Sequence, residues 1–183
     1  LLDDQAIKDQ WRKLDPQVVI HCAAETAGGW KEHERNSIAA TEHVLRAAAS
    51  AGVRQVIHVS SLATLASNTR DPLGETSPLI EHPAEYGPYV WGKVESERLA
   101  GRLGMELGLD VRIVRPGALV DYTRFEPPGK LGRRVGNVFV AVGMPSQQLG
   151  VADVRFAGRT IAWMATHFSS TPRVLNLLAP SLP

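Results

Sequence analysis

Three short β-branched runs, each separated from the next by a longer helical pattern, constrain this chain more than any other feature. Val18-Val19-Ile20-His21-Cys22 follows Asp15-Pro16. Gln55-Val56-Ile57-His58-Val59 ends in Ser60-Ser61, and Val111-Arg112-Ile113-Val114 is stopped by Pro116-Gly117. Apolar residues at successive positions suit strands buried on both faces. Strands of that kind alternating with helices build a parallel sheet covered by helices.

The intervening patterns fit this reading. A helix is expected from about Trp30 to Ala51, with Ile38, Leu45 and Ala48 on one stripe, Val44 beside them, and Gly52 as its stop. A second runs from about Tyr89 to Gly108. A third covers about Val151 to Phe168, with Val154, Ala157, Ile161, Met164 and Phe168 in register. A helical stub, Asp4 to Leu14, precedes the first strand, and Val174 to Leu178 forms a last one. A polar, Pro-rich loop spans about Ala66 to Pro88. The least regular stretch, 120–150, reads as a substrate-side loop with a short strand within Asn137 to Val142. The expectation is α/β: one Rossmann-like domain over 1–183, a doubly wound parallel sheet joined by right-handed crossovers.

Charge and cysteine content narrow the function. A formal net charge of +1 argues against a nucleic-acid-binding surface. Lys130, Arg133 and Arg134 form the one short basic cluster, read as a solvated loop or a contact for an anionic substrate group. The single cysteine, Cys22, cannot form an internal disulfide, which points to a cytoplasmic setting. Its apolar neighbours make it a buried small hydrophobe rather than a nucleophile. No apolar stretch is long enough for a membrane span.

In an open parallel sheet, ligands bind beyond the carboxyl ends of the strands. There the sequence has Ala23-Ala24-Glu25-Thr26, Ser60-Ser61 and Pro116-Gly117-Ala118. Tyr89-Val90-Trp91-Gly92-Lys93 places a phenol and an amine four apart at a helix start, on one face. A free tyrosine ionises near ~10, and an ammonium close by favours the phenolate. Such a tyrosine can exchange a proton with a substrate hydroxyl, and a serine at the neighbouring strand tip can bind the same oxygen. Taken singly, a Tyr-x-x-x-Lys pair arises by chance and two serines after a strand satisfy loop amides. It is their order along the chain that points to chemistry.

That ordered set resembles the extended short-chain dehydrogenase/reductases of the NAD-dependent epimerase/dehydratase family. Asp15 to Ala24 is similar to its D-x-V-I-H-x-A-A strand and Asn36 to Leu45 to its N-x-x-G-T-x-x-L helix, with Ala40 in place of the glycine. Val59-Ser60-Ser61, Tyr89 to Lys93, Arg115-Pro116-Gly117, Leu149 to Val154 and Val174 to Leu177 match its later motifs in order. The resemblance implies Tyr89 as general acid/base and Lys93 as the group that tunes it and holds the nicotinamide ribose. It implies Ser61 as the catalytic serine, with Ser60 second and facing the cofactor, and Asn36 as a brace, though an exposed helix position explains Asn36 equally well. Ala23 and Ala24 would line NAD or NADP, and Pro116, Gly117 and Ala118 would pass near the nicotinamide amide. Glu25 reads as a loop residue, Thr64 as a loop hydroxyl, and no metal is implied.

The glycine-rich G-x-x-G-x-x-G turn of such folds does not occur in this sequence, and Gly28-Gly29 lacks the spacing. The chain therefore reads as a partial Rossmann-like sheet, lacking the N-terminal strands, with impaired NAD(P) binding and an uncovered edge able to pair with a second copy as a homodimer. The implied function, in the full-length parent, is hydride transfer on a sugar nucleotide or related carbonyl or alcohol substrate, with this chain by itself expected to be inactive. Leu62-Ala63 lacks the acidic pair of the dehydratases, which favours an epimerase or reductase. The alternative is a non-catalytic nucleotide-binding sensor or an inactive fragment. A serine hydrolase is disfavoured because no G-x-S-x-G elbow is present.

Overall fold

A computed structural model describes residues 4–66, 72–123, 132–136, 138–141 and 150–178. The chain opens with α1 (Asp4–Leu14) and β1 (Val18–His21). Next comes α2, which is α-helical at Trp30–His33, π-helical at Glu34–Ala39 and α-helical again at Ala40–Ser50. Then follow β2 (Gln55–Val59), a 3-10 turn (Leu62–Thr64), another (Pro83–Tyr86), α3 (Pro88–Leu107) and β3 (Asp110–Pro116). Short strands β4 (Ala118–Val120), β5 (Gly132–Val135), β6 (Val138–Ala141) and β7 (Val151–Asp153) lead to α4 (Val154–Thr166), a 3-10 turn (Phe168–Ser170) and β8 (Val174–Leu177).

The main sheet has the order β1-β2-β3-β8, all neighbours parallel, as the alternating pattern requires. Its registers put His21 beside His58 and His58 beside Ile113, so one end of the sheet gathers the polar strand tips. One face packs Val19, Val56 and Ile113 against Val44, Leu45 and Ala48 of α2 and Leu99, Ala100 and Leu103 of α3, with Trp11 of α1 at the margin. The opposite face packs Ile57, Val114 and Leu177 against Ala157 and Met164 of α4 and Phe168 beyond it. Truncating a fully buried leucine such as Leu45 or Leu103 removes about 2–5 kcal/mol.

Several local expectations need correction. The first strand is not buried on both faces. Val19 and His21, under α2, are buried, whereas Ile20 on the other face is 42% exposed because α4 covers only the margin near Val18. Cys22 is consequently an exposed residue beyond the strand end, not a core hydrophobe. The third helix does not begin at Val151. Val151–Asp153 pairs in parallel with β4, and the Asp153 carboxylate then accepts from the Phe156 N–H and caps α4. Extending helical periodicity backward from Val154 ran past this cap. The alternating run after Asn137 is a strand over Val138–Ala141, but it pairs with β5, an antiparallel partner the sequence did not announce. Lys130, Asn137, Val142, Leu149, Pro127-Pro128 and residues 67–71 lie outside the described residues.

Candidate active site

The strand tips of β1, β2 and β3 and the first turns of α3 form one polar corner. Gly87, at φ +89°, leads into α3, and Pro88 occupies its first turn. From that start, Tyr89, Lys93 and Glu97 follow at intervals of four along one side. Lys93 is buried and its Nζ donates to the Val59 carbonyl at 3.1 Å, which pins α3 to the end of β2. Burial pulls the Lys93 ammonium below its ordinary pKa, while the nearby Cys22 thiol and Glu97 carboxylate oppose the shift. The Cys22 thiol is itself raised, mainly by partial burial against a smaller lowering from Lys93.

The two serines part company at the strand tip. Ser60 is buried and its hydroxyl donates to Glu97 Oε2 at 2.5 Å. Ser61 is half-buried, and its oxygen accepts from the Ala63 N–H at 3.2 Å, which caps the Leu62–Thr64 turn. Tyr89 and Ala63, the latter in the Ser61 turn, both pack against a small cluster of Ile80, Val90 and Val94.

Sequence reasoning missed what holds this corner together. Glu97 and Arg115, each 5% exposed, form a paired contact: Arg115 Nη2 donates to Oε1 at 2.6 Å and Nε at 3.0 Å. Arg115 Nη1 also donates to the Glu75 carbonyl, and the Asn176 N–H donates to the Glu75 carboxylate. The loop after the serine turn is thereby lashed to β3 and β8. Two signals were available: Glu97 extends the spacing of four from Tyr89 and Lys93, and Arg115 stands in the strand just before Pro116-Gly117.

Across the corner, Glu25 organises the β1–α2 loop. Its carboxylate accepts from Asn36 Nδ2 at 2.9 Å and from the N–H groups of Thr26, Ala27 and Gly28. These bonds, the Asn36 amide first, lower its pKa to about 2. Asn36 and Ser37 both lie in the π-helical stretch, and Ser37 Oγ accepts from the Glu25 N–H. π-bulges of this kind gather at functional sites. Asn36 thus braces this loop through Glu25. Ala23 is exposed and Ala24 half-buried at its start.

Beneath the strand tips sits a histidine pair. Thr41 gives its one proton to the Ser37 carbonyl, so His21 Nε2 must donate to Thr41 Oγ1 at 3.0 Å. Burial, with Lys93 second, lowers His21 to about 4, and burial also holds His58 well below its ordinary pKa. On the far side, Gly117 donates to the Leu177 carbonyl, and Ala118 to that of Gly150. A Cβ on Gly117 would meet the Gly150 carbonyl carbon at 2.8 Å and its oxygen closer still, so only glycine fits. Pro116 is buried and Ala118 half-buried. Among the described residues, no group of three or more His, Cys, Asp or Glu side chains could hold a metal, and no helix is long and apolar enough to cross a membrane.

A parallel sheet flanked by helices, with Tyr-x-x-x-Lys and a serine turn at its carboxyl end, defines a class of dinucleotide-dependent enzyme folds. The family profile described as the NAD dependent epimerase/dehydratase family matches residues 1–168, and the chain belongs to that family. Solved structures with the same fold include the dTDP-glucose 4,6-dehydratase DesIV of Streptomyces venezuelae with NAD and TYD bound, at 22% identity and TM-score 0.73, covering 96% of this chain and 55% of that one. The UDP-glucose 4-epimerase of Thermus thermophilus in complex with NAD aligns at 15% identity and TM-score 0.70, covering 97% and 61%. A dTDP-4-dehydrorhamnose reductase ortholog of Clostridium acetobutylicum aligns at 15% identity and TM-score 0.70, covering 98% and 62%. This chain therefore spans somewhat more than half the length of these structures. No curated protein matches it in sequence.

Proposed function

We propose that this chain carries the acid/base corner of an NAD(P)-dependent oxidoreductase or isomerase acting on a sugar nucleotide or a related hydroxyl or carbonyl compound. The observation that carries this reading is Lys93. It is a buried amine, anchored on the Val59 carbonyl at the tip of the serine strand and one helical turn from Tyr89. Burying a lysine is costly unless its charge is hydrogen-bonded or paired; the Val59 carbonyl takes one bond, and in this reading the charge serves the phenol four residues earlier on the same helix face.

In this reading Tyr89 accepts the proton of the substrate hydroxyl as the attached carbon is oxidised, and returns it on reduction. The Lys93 ammonium favours the phenolate that accepts that proton. Ser61, with its oxygen already accepting from Ala63, has its own proton free to give to the substrate oxygen. Ser60 is a support for Glu97 in the same account, and Asn36 supports the loop that would border the nicotinamide.

The residues present fit the nicotinamide and ribose end of a dinucleotide. Ala23 and Ala24 offer small side chains at the β1 tip, Lys93 offers donors for ribose hydroxyls, and Gly117 lets backbone approach closely. When bound, NAD or NADP would supply the hydride-transfer partner. The DesIV structure, which holds NAD together with TYD, favours a nucleotide-linked substrate. The lack of an acidic pair at Leu62-Ala63 favours epimerisation or reduction over dehydration.

The test is turnover of nucleotide sugars at NAD or NADP concentrations high enough to saturate a chain whose dinucleotide binding is weakened by the lack of a glycine-rich turn. Tyr89→Phe is expected to lower kcat by about 10²–10⁴-fold with dinucleotide affinity unchanged, and Lys93→Met to move the alkaline-to-neutral limb of the pH profile upward. Full turnover by Tyr89→Phe would remove the proposal. A sensor without turnover would instead bind NADH, seen by fluorescence, and convert none of the sugars.

A further inference from the structure

His33 is 1% exposed, and neither ring nitrogen has a hydrogen-bond partner. It ends the first α-helical stretch of α2, immediately before the π-helical turns. Its ring stands at 84° to the Tyr89 ring, with centroids 6.1 Å apart. On the same helix as Tyr89, a Cβ at Gly92 would lie 3.0 Å from His33 Nδ1, so the imidazole is seated against the α3 backbone where the glycine makes room.

As a spacer, this residue is a poor choice. A buried polar atom without a partner carries an uncompensated desolvation cost, and an aliphatic side chain of similar volume would fill the site without it. What the aliphatic side chain lacks is a flat ring that can meet a second ring edge to face. We infer that His33 is a positioning residue for Tyr89: its imidazole, wedged between α2 and the Gly92 notch, sets the orientation of the phenol ring relative to Lys93. This rests on the acid/base reading of Tyr89. It also gives the π-helical turns a purpose beyond Asn36, since they follow the residue that contacts the acid/base helix.

The test is the ionisation of the Tyr89 phenol, followed by ¹³C-tyrosine NMR on the full chain, with Tyr86 and Tyr122 as internal controls. His33→Leu removes both the flat ring and the orphan nitrogens. The expected result is a folded protein of equal or greater thermal stability. Its Tyr89 midpoint is expected to lie above that of the unsubstituted chain. His33→Phe restores a flat ring and is expected to keep the midpoint of the unsubstituted chain. An unmoved midpoint in His33→Leu, or an equal rise in His33→Phe, overturns the inference. If His33→Leu fails to fold, the unsubstituted chain decides, because the His33 ring carbons must shift as Tyr89 ionises. Their indifference also overturns it. Lys93→Met separates the two claims. A midpoint unmoved by Lys93→Met defeats the acid/base pairing itself, whereas a midpoint moved by Lys93→Met and not by His33→Leu defeats only the role of His33.

Discussion

Removing Glu97 should cost this fold more than removing any surface charge, and the structure sets the size. Glu97→Ala leaves the Arg115 guanidinium buried, with only the Glu75 carbonyl as acceptor, and takes the acceptor from the buried Ser60 hydroxyl. Breaking a buried ion pair by deleting one partner costs about 3–5 kcal/mol. With a urea dependence of about 2 kcal/mol per molar, the unfolding midpoint should fall by roughly 1.5–2.5 M. The exposed pair Arg46–Glu42, with side chains 42% and 43% exposed, is the control. Losing it should cost about 0–1 kcal/mol. The double variant Glu97→Leu with Arg115→Met removes both charges together and should recover much of the loss, since the orphaned charge rather than the pair dominates the cost. Urea unfolding followed by far-ultraviolet circular dichroism reads all four proteins. A Glu97→Ala midpoint no lower than that of Glu42→Ala would refute the reasoning, as would a double variant no more stable than Glu97→Ala.

Three further outcomes are expected. His21, held at about 4 against an unfolded value of 6.5, binds its proton more readily when unfolded. Stability should therefore be full above pH ~6.5 and decline as pH falls toward ~4, by on the order of 3 kcal/mol. His21→Gln should make that slope shallower in urea midpoints taken from pH 8 to 4, the remainder coming from buried His58. The depressed Glu25 works at lower pH: its contribution is present above about 4.5 and lost as pH falls through about 2. The Asn36 side-chain amide resonance should move with a midpoint near 2, and a midpoint at 4 or above would show that the Glu25–Asn36 bond does not form. Gly117→Ala should lower stability by about 1–3 kcal/mol through displacement of the Gly150 backbone, and thermal melting that matches the parent would contradict the close approach.

The sequence by itself determined the architecture and the candidate residues. Strand-helix alternation was enough for a parallel sheet, because β-branched runs and periods near 3.6 are local properties of the chain. It also marked Tyr89, Lys93 and the serine pair, since a spacing of four on a helix fixes a shared face without knowledge of neighbours. Tertiary structure alone decided which hydroxyl turns inward: Ser60 and Ser61 are the same residue type, and only the buried Glu97 distinguishes them. It likewise decided that Cys22 is exposed, that Val151–Asp153 is a strand and that His33 meets Tyr89. Each of these depends on a partner distant in sequence. Burial and pairing are properties of two segments brought together, and a linear pattern describes only one segment at a time.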